Sequence, residues 1–173
     1  TAIDTYGNTS ESSPLWKVTV DNTAPIVTAD TLLTNLTTPT VSGTINDATA
    51  AVEVIVDGST YAAVVSGTTW TADITNALSD GIYDIAATAT DLAGNSSADV
   101  TSDELTVDTT NPVVVITNPT AAYLSGNGIL VRGTIADSNL DAYELTITNA
   151  ANTVVYSQTD SSASTFAEYT WDT

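Results

Sequence analysis

Three features of the sequence predict an all-β fold. Hydrophobic residues make up 42% of the 173 residues, and they are mostly Val, Ile, Ala and Leu, with abundant Thr, a composition typical of strands. Short runs alternate apolar with polar residues, as at Tyr83, Ile85 and Ala87, and this period of two places one side of a strand in a core. Turn residues such as Asp57-Gly58 separate the runs, and no segment has a helical period. The sequence therefore predicts short strands joined by tight turns.

One stretch of the sequence occurs twice. Residues 1–25 and 88–112 align without a gap and agree at 11 of 25 positions. The shared residues are Thr-Ala-x-Asp-x-x-Gly-Asn-x-Ser, followed by Thr-Val-Asp-x-Thr-x-Pro. The period of 87 residues is close to the size of one immunoglobulin-like sandwich and too long for a helical solenoid. The sequence therefore predicts tandem immunoglobulin-like Greek-key β-sandwiches, of which the first and the last are incomplete.

The repeat divides the chain into three predicted units. Residues 1–21 are expected to be the last two strands of an incomplete unit, in which Trp16 and Val18 lie on the apolar side of a half-buried strand. Residues 22–110 are expected to be a complete unit, and residues 111–173 an incomplete one that lacks its last strands. The preferred explanation of the two incomplete units is that the chain is an excerpt from a longer array. Separate subunits that interlock head to tail are the alternative.

Seven strands are predicted in the complete unit, a number and spacing that fit a Greek-key sandwich. Each strand ends at turn residues. The predicted strands are Ile26–Ala29, Thr40–Ile45, Ala51–Val56, Thr60–Val65, Trp70–Ile74, Ile82–Thr90 and Glu104–Val107. In the third unit, Gly133-Thr134-Ile135 repeats Gly43-Thr44-Ile45, and Thr170-Trp171 resembles Thr69-Trp70.

The charge and the missing residue types exclude several functions. The formal net charge is −19, from 21 acidic residues against Lys17 and Arg132, and such a surface repels nucleic-acid phosphates and anionic lipids. The chain has no histidine, no cysteine and one lysine, so the usual nucleophile–base pairs cannot be assembled, and no enzyme is predicted. No stretch approaches the about 18 apolar residues of a membrane span, so no membrane insertion is predicted.

Calcium at the junctions between units is the chemical hypothesis that the acidic residues suggest. In a sandwich of this strand order, the loops after the second and sixth strands lie where the chain enters the domain. Asp47 and Asp91 in those loops are therefore expected to approach Asp21 in the preceding linker. Oxygen ligands brought together from several loops suit Ca²⁺, which extracellular modules bind at about 10⁻⁴–10⁻³ M.

The next junction is expected to repeat this arrangement. There Asp108 would meet Asp137 and Asp141, with Asp80 facing them from the preceding domain. Without a cation, such carboxylates would repel one another. The alternative is that these residues only cap turns and accept hydrogen bonds from backbone amides.

The three tryptophans allow two interpretations. Trp16, Trp70 and Trp171 would form a sugar-binding platform if they were exposed together. Each lies on an alternating apolar face, however, so burial in a core is the favoured prediction.

Several short motifs resemble one family of repeats. They are Val-Asp-x-Thr-x-Pro, Thr38–Thr44, Val56–Gly58, Trp70, Asp80–Tyr83 and Ala89–Asn95. Together they resemble the bacterial Ig-like repeats found in tandem in large secreted adhesins and biofilm-associated surface proteins. The resemblance covers the complete unit and the N-terminal piece well, and residues 111–173 only loosely.

The resemblance implies a structural role, namely spacing, rigidity and assembly on a secreted or cell-surface protein. The expected partners are neighbouring repeats of the same chain or other copies. The alternatives are a glycan- or ligand-binding module, for which cell-surface or matrix glycans stay open as ligands, and a subunit of an extracellular filament. An exposed row of aromatic residues would distinguish the binding module.

Overall fold

The computed structural model describes residues 1–120, 129–149, 151–161 and 169–171. These residues form strands and no helix, so the predicted all-β class is confirmed. The strands are Val27–Ala29 (β1), Leu32–Thr34 (β2), Thr40–Ile45 (β3), Ala51–Val56 (β4), Ser59–Ala62 (β5), Val64–Ser66 (β6), Thr69–Asp73 (β7), Gly81–Tyr83 (β8), Ala86–Thr90 (β9), Ser96–Ala98 (β10), Leu105–Val107 (β11), Val113–Asn118 (β12), Ile129–Ala136 (β13), Ala142–Thr148 (β14), Val154–Ser161 (β15) and Tyr169–Trp171 (β16).

The chain divides into two compact units, each assembled from separate stretches. The first comprises residues 1–31, 40–75 and 83–104, and the second comprises residues 32–39, 76–82 and 105–173.

The first unit contains an Ig-like β-sandwich. Its two four-stranded sheets have the orders β1-β3-β7-β6 and β10-β9-β4-β5, and all of their pairs are antiparallel. The sheets face each other, because β1 lies against β9 and β5 lies against β7. Alternate side chains are buried between them, as the period of two predicts, including Val54, Trp70, Ile85, Ala87 and Ala89.

Trp70 is the largest fully buried side chain of this core. It lies opposite Gly43 in the β3–β7 pair, and its indole N–H donates a hydrogen bond to the Thr28 carbonyl at 3.0 Å. A Cβ atom at position 43 would lie 2.5 Å from Cζ2 of the indole and 1.9 Å from the Thr28 oxygen. Only glycine therefore lets the indole cross β3 at this point.

Two predicted strands are each divided into two in the structure. The predicted strand Thr60–Val65 leaves one sheet after β5 and joins the other as β6, with the break at Ala63. A strand that serves both sheets must turn between them, and the apolar pattern contains no sign of that turn because both halves are partly buried.

The predicted strand Ile82–Thr90 is interrupted at Asp84 and Ile85. At this break, hydrogen bonds to side chains take the place of backbone hydrogen bonds between strands. The Asp84 carboxylate accepts the Asp103 N–H at 2.9 Å, and the Ile85 N–H donates to Glu104 Oε2 at 3.0 Å. Glu104 is 2% exposed, and its Oε1 has no hydrogen-bond partner among the described residues. A buried glutamate at this place was not predicted.

The N-terminal segment differs most from its prediction. Residues 1–10 form one tight turn closed by a bridge between Ile3 and Thr9. The predicted strand through Trp16 and Val18 is wrong, since no strand forms there and Trp16 is 88% exposed. An alternating segment becomes a strand only when it pairs with a neighbour, and no described residue pairs with this one.

The second unit contains three small sheets. In the first, of order β2-β11-β8, β11 pairs with β2 in parallel, and Leu105 and Val107 are buried. The others have the orders β12-β13-β16 and β14-β15. Ile135 and Leu145 are buried within this unit. The predicted equivalence of Trp171 and Trp70 fails in register, because Trp171 pairs with Ile129 and not with the counterpart of Gly43.

Candidate functional site

The turn between β9 and β10 is built around one aspartate and one asparagine. Asp91 Oδ1 accepts the Asn95 N–H at 2.8 Å, and Asp91 Oδ2 accepts the Asn95 side-chain amide at 2.8 Å. Gly94 has a φ of 92°, a left-handed conformation that favours glycine. The Asn95 side-chain amide, followed by backbone N–H groups of the turn, holds the pKa of the Asp91 carboxyl below its ordinary value.

The same turn recurs in the first copy of the repeated stretch. Asp4 Oδ1 accepts the Asn8 N–H at 2.9 Å, and Asp4 Oδ2 accepts the Asn8 side-chain amide at 2.8 Å. Gly7 has a φ of 88°, and hydrogen bonds from Asn8 lower the pKa of Asp4 as well. The sequence motif Asp-x-x-Gly-Asn is therefore a structural motif.

Asn95 connects this turn to the segment through which the chain enters the domain. Its side-chain amide also donates to the Asp21 carbonyl at 3.1 Å. Ser97 Oγ donates to the Pro25 carbonyl, and the Ile26 N–H donates to Asn46 Oδ1. Three polar side chains, two in loops and one in β10, thus hold the entering segment in place.

The first predicted calcium set is brought together only in part. Asp21 and Asp91 share the amide of Asn95, through a backbone carbonyl and a carboxylate respectively. The Asp21 carboxylate caps its own turn by accepting the Thr23 N–H at 3.0 Å. The Asp47 carboxylate likewise accepts the backbone and hydroxyl hydrogens of Thr49, both at 2.8 Å.

The second predicted set lies entirely in the second unit. Asp80 Oδ1 accepts the Thr109 N–H at 3.0 Å and its hydroxyl at 2.7 Å, and Asp80 Oδ2 accepts the Thr110 hydroxyl at 2.7 Å. These hydroxyls, Thr109 first, lower the pKa of Asp80. Asp108 accepts the Thr110 N–H at 3.0 Å and the side-chain amide of Asn139.

An acidic groove of about 410 Å³ collects three members of the second set. Asp137 Oδ1 accepts the Asn139 N–H at 2.7 Å at its rim. The groove is lined by Leu33, Thr34, Asn35, Asp108, Thr110, Pro112, Asp137, Asn139, Leu140, Asp141 and Ala142. Asp80 lies outside it, in a second groove that also includes Asp108.

The arrangement of these carboxylates is that of turn caps. In the described part of the chain, no group of three or more acidic residues is placed to hold a metal ion, whereas Ca²⁺ takes six to eight oxygen ligands. Amides and hydroxyls already occupy the oxygens of Asp80, Asp91 and Asp108. The turn-capping alternative therefore accounts for the observed geometry, and calcium binding stays a prediction.

Sequence reasoning missed the neutral partners of these acids. Asn95 and Asn139 each donate an amide to a predicted ligand, and Thr109 and Thr110 donate hydroxyls to Asp80. The sequence did contain a signal for Asn95, because the spacing Asp-x-x-x-Asn occurs in both copies of the repeat.

The tryptophans do not form a shared platform. Trp70 is buried, which confirms the core prediction for that residue, whereas the prediction of a buried Trp16 is wrong. The side chain of Trp171 lies outside the described residues. A sugar-binding surface made of all three tryptophans is thus excluded by the burial of Trp70.

The sandwich of the first unit is similar to one known domain family. Residues 27–109 match the family model of the bacterial Ig-like domain, and this match supports a bacterial Ig-like domain in that stretch. Such domains are typically non-catalytic and are usually extracellular surface modules. A comparison with curated protein sequences found no significant match. Among the described residues, no helix has the length and hydropathy of a membrane-crossing segment.

Proposed function

We propose that this chain is a structural spacer of a secreted or surface-displayed bacterial protein, built of tandem Ig-like units and subject to tension along its length. The family match at residues 27–109 supports a structural extracellular module. The repeat of residues 1–25 at 88–112 supports a tandem array. The adhesin context rests on the resemblance of the repeat motifs to adhesin repeats.

The observation that carries the mechanical part is the parallel pairing of β2 with β11. Leu32, Leu33 and Thr34 pair with Leu105, Thr106 and Val107, and the Asp108 N–H donates to the Thr34 carbonyl at 2.9 Å. The first partner lies just after the chain enters the domain, and the second just before it leaves. Parallel strands pulled from opposite ends of the chain slide past each other, so all bonds between them must break together.

A single-molecule pulling experiment tests this function. The chain contains no cysteine, so introduced pairs define the points of attachment. Cysteines at Asn22 and Asn111 load β2 and β11 in shear. Cysteines at Asn35 and Asn111 instead pull on the ends at which both parallel strands finish, and so peel the pair one bond at a time. We expect a clearly higher rupture force for the first pair. Equal forces in the two geometries would contradict a load-bearing role for the parallel pair.

Calcium stiffening is a separate part of the proposal. The groove that collects Asp108, Asp137 and Asp141 supports it, together with a net charge of −19, which disfavours close approach of carboxylates without cations. Calcium at 100 times its dissociation constant would stabilise a folded site by about 2.7 kcal/mol. We therefore expect calcium to raise the melting temperature and chelator to lower it.

Two controls separate a site from general screening of charge. Magnesium at the same concentration screens the same charges but demands a tighter octahedral geometry. The variant Asp108→Asn should reduce the calcium response, whereas Asp57→Asn, in an exposed hairpin turn with a φ of 49° that asparagine also adopts, should leave it unchanged. An identical melt with either ion would remove calcium from the proposal and leave the spacer role standing.

A further inference from the structure

A groove lies at one edge of the sandwich, where the chain crosses at Ala63 from the last strand of one sheet to the last strand of the other. Its volume is about 350 Å³, within the range of about 300–1,000 Å³ that small-molecule sites occupy. Tyr61 and Ala62 of β5 and Val64 of β6 line it. The remaining lining residues are polar, namely Thr60, Thr71, Asp73 and Thr75. The crossing between sheets thus creates a mostly polar groove.

The hydroxyl of Tyr61 has no partner in the described part of the chain. Tyr61 is 8% exposed, and its hydroxyl oxygen is buried without a hydrogen bond to any described residue. Buried hydroxyls nearly always have a partner, because an unpaired one destabilises the fold. Phenylalanine would fill the same space without that cost. The hydroxyl therefore indicates a partner from outside the domain, and the groove is the surface that Tyr61 lines.

The polar groups of the groove require a ligand that both donates and accepts hydrogen bonds. The Tyr61 O–H needs an acceptor, whereas the Asp73 carboxylate needs donors. Asp73 Oδ1 already accepts the Thr40 hydroxyl at 2.6 Å, but a carboxylate has room for about four such bonds. An ammonium group only donates and an anionic carboxylate only accepts, so neither completes both residues. A hydroxyl group completes both.

Charge and shape narrow the class of ligand further. The formal net charge of −19 and the Asp73 carboxylate in the groove repel anions. Ala62 and Val64 supply apolar contacts beside the polar groups, and Val64 is exposed. A sugar ring has hydroxyls around its rim and C–H groups on its faces, so an uncharged sugar matches both parts of the groove.

We propose that this groove binds a neutral saccharide, with Asp73 accepting hydrogen bonds from its hydroxyls and the Tyr61 O–H donating to one of them. The Tyr61 oxygen is covered in the free protein, so its bond to the sugar requires a small shift of the side chains around it. The site goes beyond the proposed spacer function. It is separate from a platform of three tryptophans, because no tryptophan lines the groove.

The experiment is an NMR titration of the 173-residue chain with the methyl glycosides of glucose, galactose and mannose, whose neighbouring hydroxyls differ in arrangement. Glucuronate and spermidine provide an anionic and a cationic comparison. We expect at least one glycoside to shift the amide signals of residues 60–64 and 71–75, and glucuronate to leave them unchanged. No shift with any glycoside, or a shift with spermidine alone, would overturn the proposal.

Two conservative variants remove the proposed contacts one at a time. Asp73→Asn keeps an oxygen that accepts the Thr40 hydroxyl, and Tyr61→Phe removes a hydroxyl that has no bond to a described residue. Both variants should therefore fold, and each should raise the dissociation constant of the sugar about tenfold. The urea midpoint of Tyr61→Phe should not fall without sugar. A marked fall would place the partner of the hydroxyl inside the protein and would contradict the proposed contact.

Each variant has a matched control outside the groove. Asp30 Oδ2 accepts the Ser42 hydroxyl at 2.8 Å, as Asp73 accepts that of Thr40, but Asp30 does not line the groove. Tyr6 is exposed in the N-terminal turn. Asp30→Asn and Tyr6→Phe should bind sugar as the unaltered chain does, and equal losses in the controls would refute the site. The pulling experiment tests the spacer function independently of either result.

Discussion

Residues 1–25 and residues 88–112 share a sequence pattern but only part of a structure. In both stretches Asp-x-x-Gly-Asn folds into the same turn, with the same two carboxylate hydrogen bonds and a glycine at a φ of 88° or 92°. The bridge between Ile3 and Thr9 matches the pairing of Thr90 with Ser96. After the turn the two stretches diverge, because residues 105–107 form a buried strand and residues 18–20 form none.

The difference separates local from non-local causes of structure. The turn needs only groups that lie within five residues of one another, so it forms with or without a sandwich around it. A strand needs a neighbour for its N–H and C=O groups and a core for its side chains, and β11 obtains the first from β2. The Asp-x-x-Gly-Asn motif therefore forms its turn in both copies. The apolar residues that follow it form a strand only where a neighbouring strand is present.

The largest expected difference in stability is between alanine substitutions of Trp70 and Trp16. Trp70→Ala should lower the free energy of unfolding by about 3–5 kcal/mol, because it empties the centre of the core. Trp16→Ala should change it by less than about 0.5 kcal/mol, because Trp16 is exposed. Urea unfolding followed by circular dichroism measures both. A comparable loss in the two variants would show that residues 1–25 are part of the domain's core.

The second comparison concerns the aligned strand positions. Leu105→Ala should destabilise the domain by about 2–5 kcal/mol, since Leu105 is fully buried. Val18→Ala should have an effect within about 0.5 kcal/mol, because Val18 is 82% exposed. The urea midpoint provides the measurement. A large effect of Val18→Ala would mean that this segment packs on the domain.

The smallest expected difference concerns pH and the two aspartates. The folded-state pKa of Asp91 is lowered, chiefly by the Asn95 amide, so its contribution to stability is present above the ordinary pKa of an aspartate. That contribution is lost as the pH falls through the lower folded-state value. Asp91→Asn should therefore reduce stability at neutral pH and make the acid limb of the melting curve less steep.

Asp4 provides the control for this prediction. Its pKa is lowered by the equivalent hydrogen bonds from Asn8, so titration followed by NMR should find both aspartates below the ordinary value. Asp4→Asn should nevertheless leave the melting temperature of the domain unchanged at every pH, because this turn lies outside the sandwich core. A shift equal to that of Asp91→Asn would contradict a purely local turn.

Much of the domain fold was predictable from residue patterns. The predicted strands Thr40–Ile45 and Ala51–Val56 have the observed bounds, because each alternates strictly and ends at turn residues. The strands β2 and β10 were missed, since each is three residues long and has no strong apolar side. The crossing at Ala63 and the break at Asp84 were missed because burial on both sides of each break continues the same alternation.

The candidate sites were predictable in position but not in chemistry. The sequence placed acidic residues in the loops, and the structure does bring Asp108, Asp137 and Asp141 to one groove. What the sequence left open was whether these oxygens face a cation or neutral donors. The answer depends on where amides such as Asn139 reach, and that residue lies 31 positions from Asp108 along the chain.

The sequence by itself determined the all-β class, the period of the repeat and the Asp-x-x-Gly-Asn turns, because alternation and turn chemistry act between residues that are close along the chain. Only the tertiary structure decided which apolar stretches become strands, and that Glu104 and not Trp16 is buried. The physical reason is that a strand and a buried side chain are completed by partners distant in sequence. The same residue pattern therefore has one structure where those partners are present and another where they are not.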